Sequence, residues 1–383
     1  MNRHTEEILI VDDKPANLKL LTRVLTGQGY HVRAASSGKH ALESVHLSPP
    51  HLILLDIKMP GMNGFEVCES LKADPLTGDI PVIFISALDD VQEKVHGFQA
   101  GGVDYITKPF QVEEVLARVE THLGLRRLQK QLQDANVRMA RELQLAALTQ
   151  ANFIPRNLPQ VEGWDFAATL IPARETSGDF YDVFHIQGGA MGILVADVVD
   201  KGVAAALFMV LAWSLIREGA EKYPADPDKI YDLVNDKLLS IMEDLVFVSA
   251  FLGVLDPHSG SLTYVNAGHP PPWLCRATGG LEPLALTGIP LGIDHGTVWH
   301  RGETHLDAGD VLVLYTDGII EACDQVDQLY GMDRLKQCIQ QYAPSGVRGI
   351  QQAILTDVMQ FLEGNPPQDD VALMVIKRNP EVA

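Results

Sequence analysis

The chain has 383 residues, 46% of them hydrophobic, with a mean hydropathy near zero, which predicts a globular, soluble chain of two or three domains. Thirty Lys and Arg against 50 Asp and Glu give a formal net charge of −20, a balance that disfavours nucleic acid and anionic membranes as partners. The four cysteines, Cys68, Cys275, Cys323 and Cys338, are scattered without Cys-x-x-Cys spacing, so neither a zinc site nor a disulfide framework is signalled; no signal-peptide core or apolar run of about 20 residues is read, and a cytoplasmic location is expected.

The first part alternates short apolar runs with amphipathic segments. These are Ile8 to Val11, Leu18 to Leu25, Val32 to Ala34, Ala41 to Leu47, Leu52 to Leu55, Phe65 to Lys72, Val82 to Ile85, Val91 to Phe98, Tyr105 to Ile106, and Val112 onward. Five strands each followed by a helix predict a parallel sheet covered on both faces. Ligands in such sheets bind beyond the carboxyl ends of the strands, and there the sequence places Asp12, Asp13, Asp56, Ser86 and Lys108. Three converging carboxylates repel one another unless a cation sits among them, and a lysine opposite suits an incoming phosphoryl group.

With Lys108-Pro109 and the loop from Lys58 to Gly64, these residues closely resemble the receiver domain of two-component response regulators, over about the first 120 residues. The resemblance implies a flavodoxin-like, doubly wound sheet of five parallel strands. It makes Asp56 the phosphoacceptor, Asp12 and Asp13 Mg²⁺-binding acids together with Asp56, and the Lys58 carbonyl a backbone ligand. Ser86 and Tyr105 become the switch pair, Lys108 the partner of the phosphoryl oxygens, and a histidine kinase or phosphotransfer protein the donor. The peptide before Pro109 is expected to be cis. A receiver-like fold used only for docking is the minority reading.

From Val112 to Gln150 proline is absent and Leu, Ala, Gln and Arg dominate, which predicts a helix spanning roughly 60 Å. Leu125, Leu128, Leu132, Ala135 and Met139 follow a heptad-like spacing that breaks after Leu123 and at Leu143. Two readings stay open, an amphipathic helix lying on its own domains and a dimeric coiled coil, with the coiled coil and a homodimer preferred. Asn152 to Pro159 ends it.

The remainder shows helical regions at Ala204 to Ala220 with Ile230 to Glu243, and at Met332 to Leu362. Strands are predicted at Phe247 to Val254, Leu262 to Val265, Val311 to Tyr315 and Ala372 to Ile376, with a hairpin turn at Asp256 to Gly260. A β-sandwich flanked by helices is expected. The stretch from Ala196 to Met209 reads as a strand end, an acidic loop and a helix start, so Asp197 surfaces where oxygen ligands hold a hard cation; Asp179, Asp317 and Asp369 lie at comparable strand ends. Carboxylates with few histidines suit Mg²⁺ or Mn²⁺ rather than Zn²⁺, and two such ions can align a bridging water with a phosphoryl ester.

Gly178-Asp-Phe-Tyr-Asp182, Ala196-Asp-Val-Val-Asp-Lys-Gly-Val203, Asn266-Ala-Gly-His269, Tyr315-Thr-Asp-Gly318 and Asp369-Asp370 resemble the metal-dependent protein phosphatase (PPM) family, specifically its SpoIIE-like branch. The resemblance covers nearly all of residues 163–378 and implies an α-β-β-α sandwich holding two Mn²⁺ or Mg²⁺ ions. By it Asp197 bridges both metals with the Val198 carbonyl beside it, Asp179 binds one, and Asp317 and Asp369 the other, with Asp370 the alternative to Asp369. Arg174 is either a fork for the substrate phosphate or a surface arginine. His269 is preferred as a turn residue satisfied by backbone. Ser177 and Asp200 stand where this branch often has glycine.

The domains expected are a receiver at 1–122, a helical linker at 123–155 and a phosphatase at 156–383. The resemblance implies a receiver-controlled serine/threonine phosphatase, its substrate an anti-sigma-factor antagonist of the STAS type in a partner-switching pathway. The alternative is a noncatalytic adaptor built on a degenerate phosphatase fold.

Overall fold

The computed structural model describes residues 6–86, 91–241 and 246–380. The chain divides into two compact units, Met1–Arg138 and Met139–Ala383. In the first, β1 (Glu7–Val11), α1 (Pro15–Gly27), β2 (His31–Ala35), α2 (Gly38–Leu47), β3 (Leu52–Asp56), α3 (Gly64–Ala73), β4 (Val82–Ser86), α4 (Val91–Gln99) and β5 (Asp104–Thr107) alternate; α5 (Val112–Gln150) begins here and ends in the second unit. The strands form one parallel sheet in the order β2-β1-β3-β4-β5. Leu9, Val11, Ile53, Leu55 and Phe84 face one core, while Ile8, Ile10, Leu52, Leu54 and Ile83 face the other. Burial on both faces is why the central strands read as unbroken apolar runs. Asn63 starts α3 with a capping box, its side chain accepting from Glu66 N while Glu66 accepts from Asn63 N.

The second unit contains β6 (Trp164–Ile171), β7 (Phe180–His185), β8 (Met191–Val198), α6 (Val203–Lys222), α7 (Pro227–Ile241), β9 (Val248–Leu255), β10 (Ser261–Ala267), β11 (Trp273–Cys275), β12 (Leu281–Pro283), β13 (Gly302–His305) and β14 (Val311–Tyr315). After these come α8 (Asp317–Ile320), α9 (Gly331–Tyr342), a 3₁₀ turn (Ala343–Ser345), α10 (Gly346–Phe361) and β15 (Val371–Arg378). Two antiparallel sheets result, β13-β10-β9-β8-β7 and β12-β11-β14-β15-β6. Alternation along the strands divides their side chains between cores. In β15, Met374 and Ile376 meet Val195 and Phe251 between the sheets, while Val371, Leu373 and Val375 pack under Leu335, Ile339, Ile350 and Ile354 of α9 and α10. Leu194, Ala196 and Leu252 pack under Met209, Ala212 and Ile216 of α6 and Tyr231 of α7. This is the expected α-β-β-α sandwich.

The structure differs from the sequence expectations in three places, and one further expectation falls outside the described residues. The single helical region at Met332 to Leu362 is two helices, broken at the turn holding Pro344 and at Gly346, whose φ is +75°. The helix from Ile230 is described as far as Ile241, and its expected end, Glu243, lies outside the described residues. Strands β6, β7 and β11–β13 were not anticipated. β6 alternates poorly, β7 carries Asp182 at its centre, and β11 to β13 are only three or four residues long. Finally, α6 is 20 residues long and apolar enough by composition to cross a membrane, against the expectation of no such run; its Ala205, Met209, Ala212 and Ile216 face is buried on the sheet.

Candidate active sites

In the first unit the polar residues at the strand ends meet. Asp12 is fully buried and accepts from Lys14 N and Asn17 Nδ2, both at 2.8 Å. Lys108 Nζ lies 2.9 Å from Asp12 Oδ2 and 2.9 Å from Asp56 Oδ2. Burial pushes the Asp56 carboxyl above the ordinary carboxylate range against the opposing pull of Lys108, while the two carboxylates hold the Lys108 ammonium above its usual value despite its burial. Oxygens of Asp12, Asp13 and Asp56 fall within 4.8 Å of one another, the one such carboxylate group among the described residues. Asp13 Oδ1 is buried with no partner among them. A crowded acid triad with an unsatisfied buried oxygen fits a hard cation such as Mg²⁺.

The Lys58 to Gly64 loop folds back on the Asp56 backbone, so closely that a Cβ on Gly64 would lie 2.3 Å from Asp56 O. Lys58 is exposed, and its ammonium pairs with Glu93 at 3.1 Å, while its backbone N–H donates to Asp56. Ser86 is buried at the end of β4 with Glu93 Oε2 at 3.4 Å. Tyr105 is half-buried on β5 under Lys94 and Arg118, 4.4 and 5.5 Å from the ring centre. The Lys108-Pro109 peptide is cis.

In the second unit, antiparallel pairing brings four acids to one rim. Asp179 precedes β7 and Asp197 is near the end of β8, with Phe180 paired to Ala196; Asp317 follows β14 and Asp369 precedes β15, with Tyr315 paired to Leu373. In each pair one strand starts where its neighbour ends, so acids far apart in sequence share an edge. The side chains of Asp179 and Asp197 interact directly, with Thr316 beside Asp179. Burial raises Asp179 well above the carboxylate range, with the Asp197 charge adding. Burial and the neighbouring Asp317 push Asp197 up to about 7, and burial, Glu321 and Asp369 raise Asp317. Asp179 Oδ2 is buried and unpartnered among the described residues. Mutually repelling buried carboxylates with a free oxygen fit divalent cations by the same argument.

The adjacent acids Asp369 and Asp370 have different surroundings. Asp370 is buried and saturated by donors: Ala173 N reaches Oδ1 at 2.7 Å, and Gly178 N and Ser177 Oγ reach Oδ2 at 2.8 Å. Asp369 is half-buried and faces Lys201, whose Nζ is 2.9 Å from its Oδ2 and 3.0 Å from Gln368 O. Gly318 touches this turn, since a Cβ on it would come 2.0 Å from Asp370 O. Asp200 takes φ +104°, a conformation that favours glycine, and its carboxylate accepts from Lys201 N at 2.7 Å.

Arg174 is exposed and makes no ion pair among the described residues. His269 is a buried residue of the turn after β10, and its ring meets the main chain of Tyr315 and Ser249, in line with the expected backbone-satisfied turn residue. Its Nδ1 is 3.1 Å from Ser249 Oγ, its N–H donates to Asn266 Oδ1, and burial pulls its pKa down to about 3. Ser249 pairs opposite Asp197, so neutral His269 belongs to the floor of the acid rim. Four contributors had no role of their own in the sequence reading: Lys201 and Thr316, which stand inside the quoted motifs, Asp182, which accepts from Trp213 Nε1 at 2.8 Å and Arg217 Nε at 2.7 Å, and Gln150. Lys201 was legible only as the residue beside Asp200.

A parallel-sheet unit with an acid triad facing a lysine, and a two-sheet unit with an acidic rim, define a receiver domain fused to a phosphatase-type sandwich. The family model described as Stage II sporulation protein E (SpoIIE) matches residues 187–379, and the response regulator receiver domain model matches residues 8–120. The chain therefore belongs to the SpoIIE family of PPM phosphatase domains and carries an N-terminal receiver domain. It is 31% identical to Protein IcfG of Synechocystis over 62% of this chain and 42% of that protein, and 47% identical to the regulator RpaA of Synechocystis over 30% of this chain and 48% of that protein. It thus spans less than half the length of either relative. Among solved structures, the RsbU and RsbW domains of a Mycobacterium tuberculosis protein match with TM-score 0.52 and 27% identity, over 59% of this chain and 63% of that one. The SiaA-PP2C domain of Pseudomonas aeruginosa matches in fold with TM-score 0.56 and 20% identity, over 63% of this chain and 98% of that one.

Proposed function

We propose that this chain is a response regulator in which phosphorylation of Asp56 controls a metal-dependent protein serine/threonine phosphatase. The observation that carries the reading is the meeting of Asp179, Asp197, Asp317 and Asp369 at one rim, with Asp179 Oδ2 buried and unpartnered among the described residues. Functionally the chain is divided into a receiver at 1–122, a linker at 123–155 and a phosphatase at 156–383.

In the phosphatase, Asp197 and the Val198 carbonyl would hold the cations together with Asp179 for one and Asp317 and Asp369 for the other. Asp370 is left to hold the loop from Ala173 to Gly178, because its oxygens are already occupied. Mn²⁺ or Mg²⁺ supplies the Lewis-acid charge for phosphoester hydrolysis. Arg174, exposed beside the rim loop, takes the substrate phosphate. In the receiver, Asp12, Asp13, Asp56 and the Lys58 carbonyl hold Mg²⁺, Lys108 neutralises the arriving phosphoryl oxygens, and Ser86 and Tyr105 respond to them.

The partners are a histidine kinase or phosphotransfer protein and a phosphoserine or phosphothreonine regulator of the anti-sigma-factor-antagonist type, met by a homodimer in the cytoplasm. The likeness to phosphatase-type RsbU and PP2C domains supports a phosphoprotein substrate, and the narrower class rests on the resemblance of the sequence motifs. Phosphate release from a phosphoserine protein, with Mn²⁺ and with EDTA, tests the reading. Release that survives excess EDTA contradicts it, and a protein that binds the regulator without hydrolysing it is the adaptor instead.

A further inference from the structure

The last residue of α5 carries a buried amide that the reading above leaves unused. Gln150 is 7% exposed, and both ends of its side chain are spent on one main-chain residue: Nε2 donates to the Ser177 carbonyl, and Oε1 accepts from Ser177 N at 3.1 Å. A side-chain amide matches a peptide edge donor for acceptor. The contact is therefore two-point, and it sets the orientation as well as the position of the Ser177 backbone.

Ser177 is two residues from Asp179, and the chain between them has no slack. Thr176 to Phe180 is buried throughout. The Ser177 hydroxyl is 2.8 Å from Asp370 Oδ2 and 3.1 Å from Asp179 O, and Gly178 N donates to Asp370 at 2.8 Å. A Cβ on Gly178 would lie 2.8 Å from Val198 O. Asp370 abuts β15 and Val198 ends β8, so these clamps belong to the two sheets. Gln150 is the clamp that comes from α5. Beside it a groove of about 460 Å³ runs between the helix end and the rim segment, lined by Ala147, Leu148, Ala151, Leu170, Pro172 and Glu175, which leaves the last turn room to shift. Phe153, three residues on, stacks edge-on against Trp213 at 5.5 Å, and Trp213 donates to Asp182 on β7. The exit of α5 thus grips the chain on both sides of Asp179.

We propose that Gln150 is a positioning residue through which α5 regulates the metal site. In one setting of the helix end the clamp holds Ser177, and with it Asp179, in place for its cation; in the other the clamp opens and Asp179 is released. The proposal deepens the phosphatase reading and rests on it, so its test uses readouts other than turnover.

Mn²⁺ binding to the full chain is measured by calorimetry in an Asp13→Asn background that silences the receiver site, and amide exchange across 176–180 is followed with and without acetyl phosphate in the native background. Gln150→Ala is expected to weaken Mn²⁺ binding roughly tenfold, the size of effect one lost hydrogen-bonded contact produces. It should also abolish the exchange response, while excess Mn²⁺ restores turnover. Gln150→Glu keeps the acceptor for Ser177 N and loses the donor, and should show an intermediate loss. Unchanged Mn²⁺ affinity in Gln150→Ala overturns the proposal, even if the variant melts earlier, since that marks a merely structural role. Should Gln150→Ala not fold, the unaltered protein decides: a change in 176–180 protection on phosphorylation supports the proposal, and identical protection overturns it. If the wild-type chain hydrolyses no phosphoprotein, the phosphatase reading fails, while the Mn²⁺ and exchange measurements still decide the role of Gln150.

Discussion

Asp197 sits among Asp179, Asp317 and Asp369, and its value to the protein is charge rather than packing. Asp197→Asn keeps the shape and removes the charge proposed to hold two cations. It should lower Mn²⁺-dependent hydrolysis on the order of 100-fold or more with an unchanged melting temperature, and unimpaired turnover would refute its assignment. The neighbours Asp369 and Asp370 should separate cleanly. Asp370→Ala removes the acceptor of three donors, two of them buried, and should cost about 3 kcal/mol of stability, visible as a lower Tm. Asp369→Asn loses only an ion pair with the exposed Lys201 and should melt normally while losing activity. In the receiver, a small phosphodonor should label the protein once. Labelling of Asp56→Asn at wild-type strength would displace Asp56 from its role, since the acyl phosphate needs a carboxylate beside Mg²⁺ and within reach of Lys108.

At the scale of elements, α5 is tied to β5 by Asp104, which accepts from Arg118 at 2.6 Å and contacts His122 Nε2 at 3.1 Å. Burial alone would raise the Asp104 pKa, but the hydrogen bonds from Arg118, His122 and Tyr105 N hold it below the ordinary carboxylate value. A carboxyl depressed on folding contributes stability that is fully present above its unfolded pKa of about 3.9 and is lost as pH falls through the lower folded value. Arg118→Ala should therefore shift acid unfolding of the receiver to higher pH and leave stability near pH 7 less dependent on Asp104; an unchanged acid limb contradicts the coupling. Farther along, Leu125, Leu128, Leu132 and Met139 are 52 to 64% exposed, an apolar stripe left uncovered among the described residues. Leu132→Lys should shift the protein toward monomer in sedimentation and uncouple phosphorylation from hydrolysis. A monomeric wild type whose Leu132→Lys variant responds fully would send the signal elsewhere.

Much of this was legible in the sequence where one element alone sets the pattern. The central receiver strands β1, β3 and β4 are buried on both faces, so they read as apolar runs, and the acids at their ends follow from that placement. Helix α5 was legible from the absence of proline. What was not legible depends on pairing across the chain. β7 hides behind the central Asp182, whose charge makes sense only beside Arg217 and Trp213, some 30 residues on. Asp369 and Asp370 are identical letters in sequence, and only the donors from Ala173, Ser177 and Gly178 tell them apart. Gln150 reads as one more polar residue of a polar helix until Ser177 is seen against it.

For the molecule as a whole, the acidic balance of −20 and the two acid-rich sites fit the two chemistries proposed above, phosphoryl capture at Asp56 and phosphoester hydrolysis at the Asp197 rim. The two communicate only if phosphorylation biases an element with two arrangements, and α5 is the element that begins in one unit and ends in the other. A coupling of 1 to 3 kcal/mol would change activity about 5- to 150-fold. The most direct measurement is phosphate release from a phosphoserine protein by the full chain in Mn²⁺, before and after phosphorylation with acetyl phosphate, alongside Asp56→Asn and Asp197→Asn. The account predicts hydrolysis that EDTA and Asp197→Asn abolish, and a rate that phosphorylation shifts at least about fivefold in the wild type and leaves unmoved in Asp56→Asn. Hydrolysis that persists in EDTA, or a rate indifferent to the state of Asp56, would contradict it.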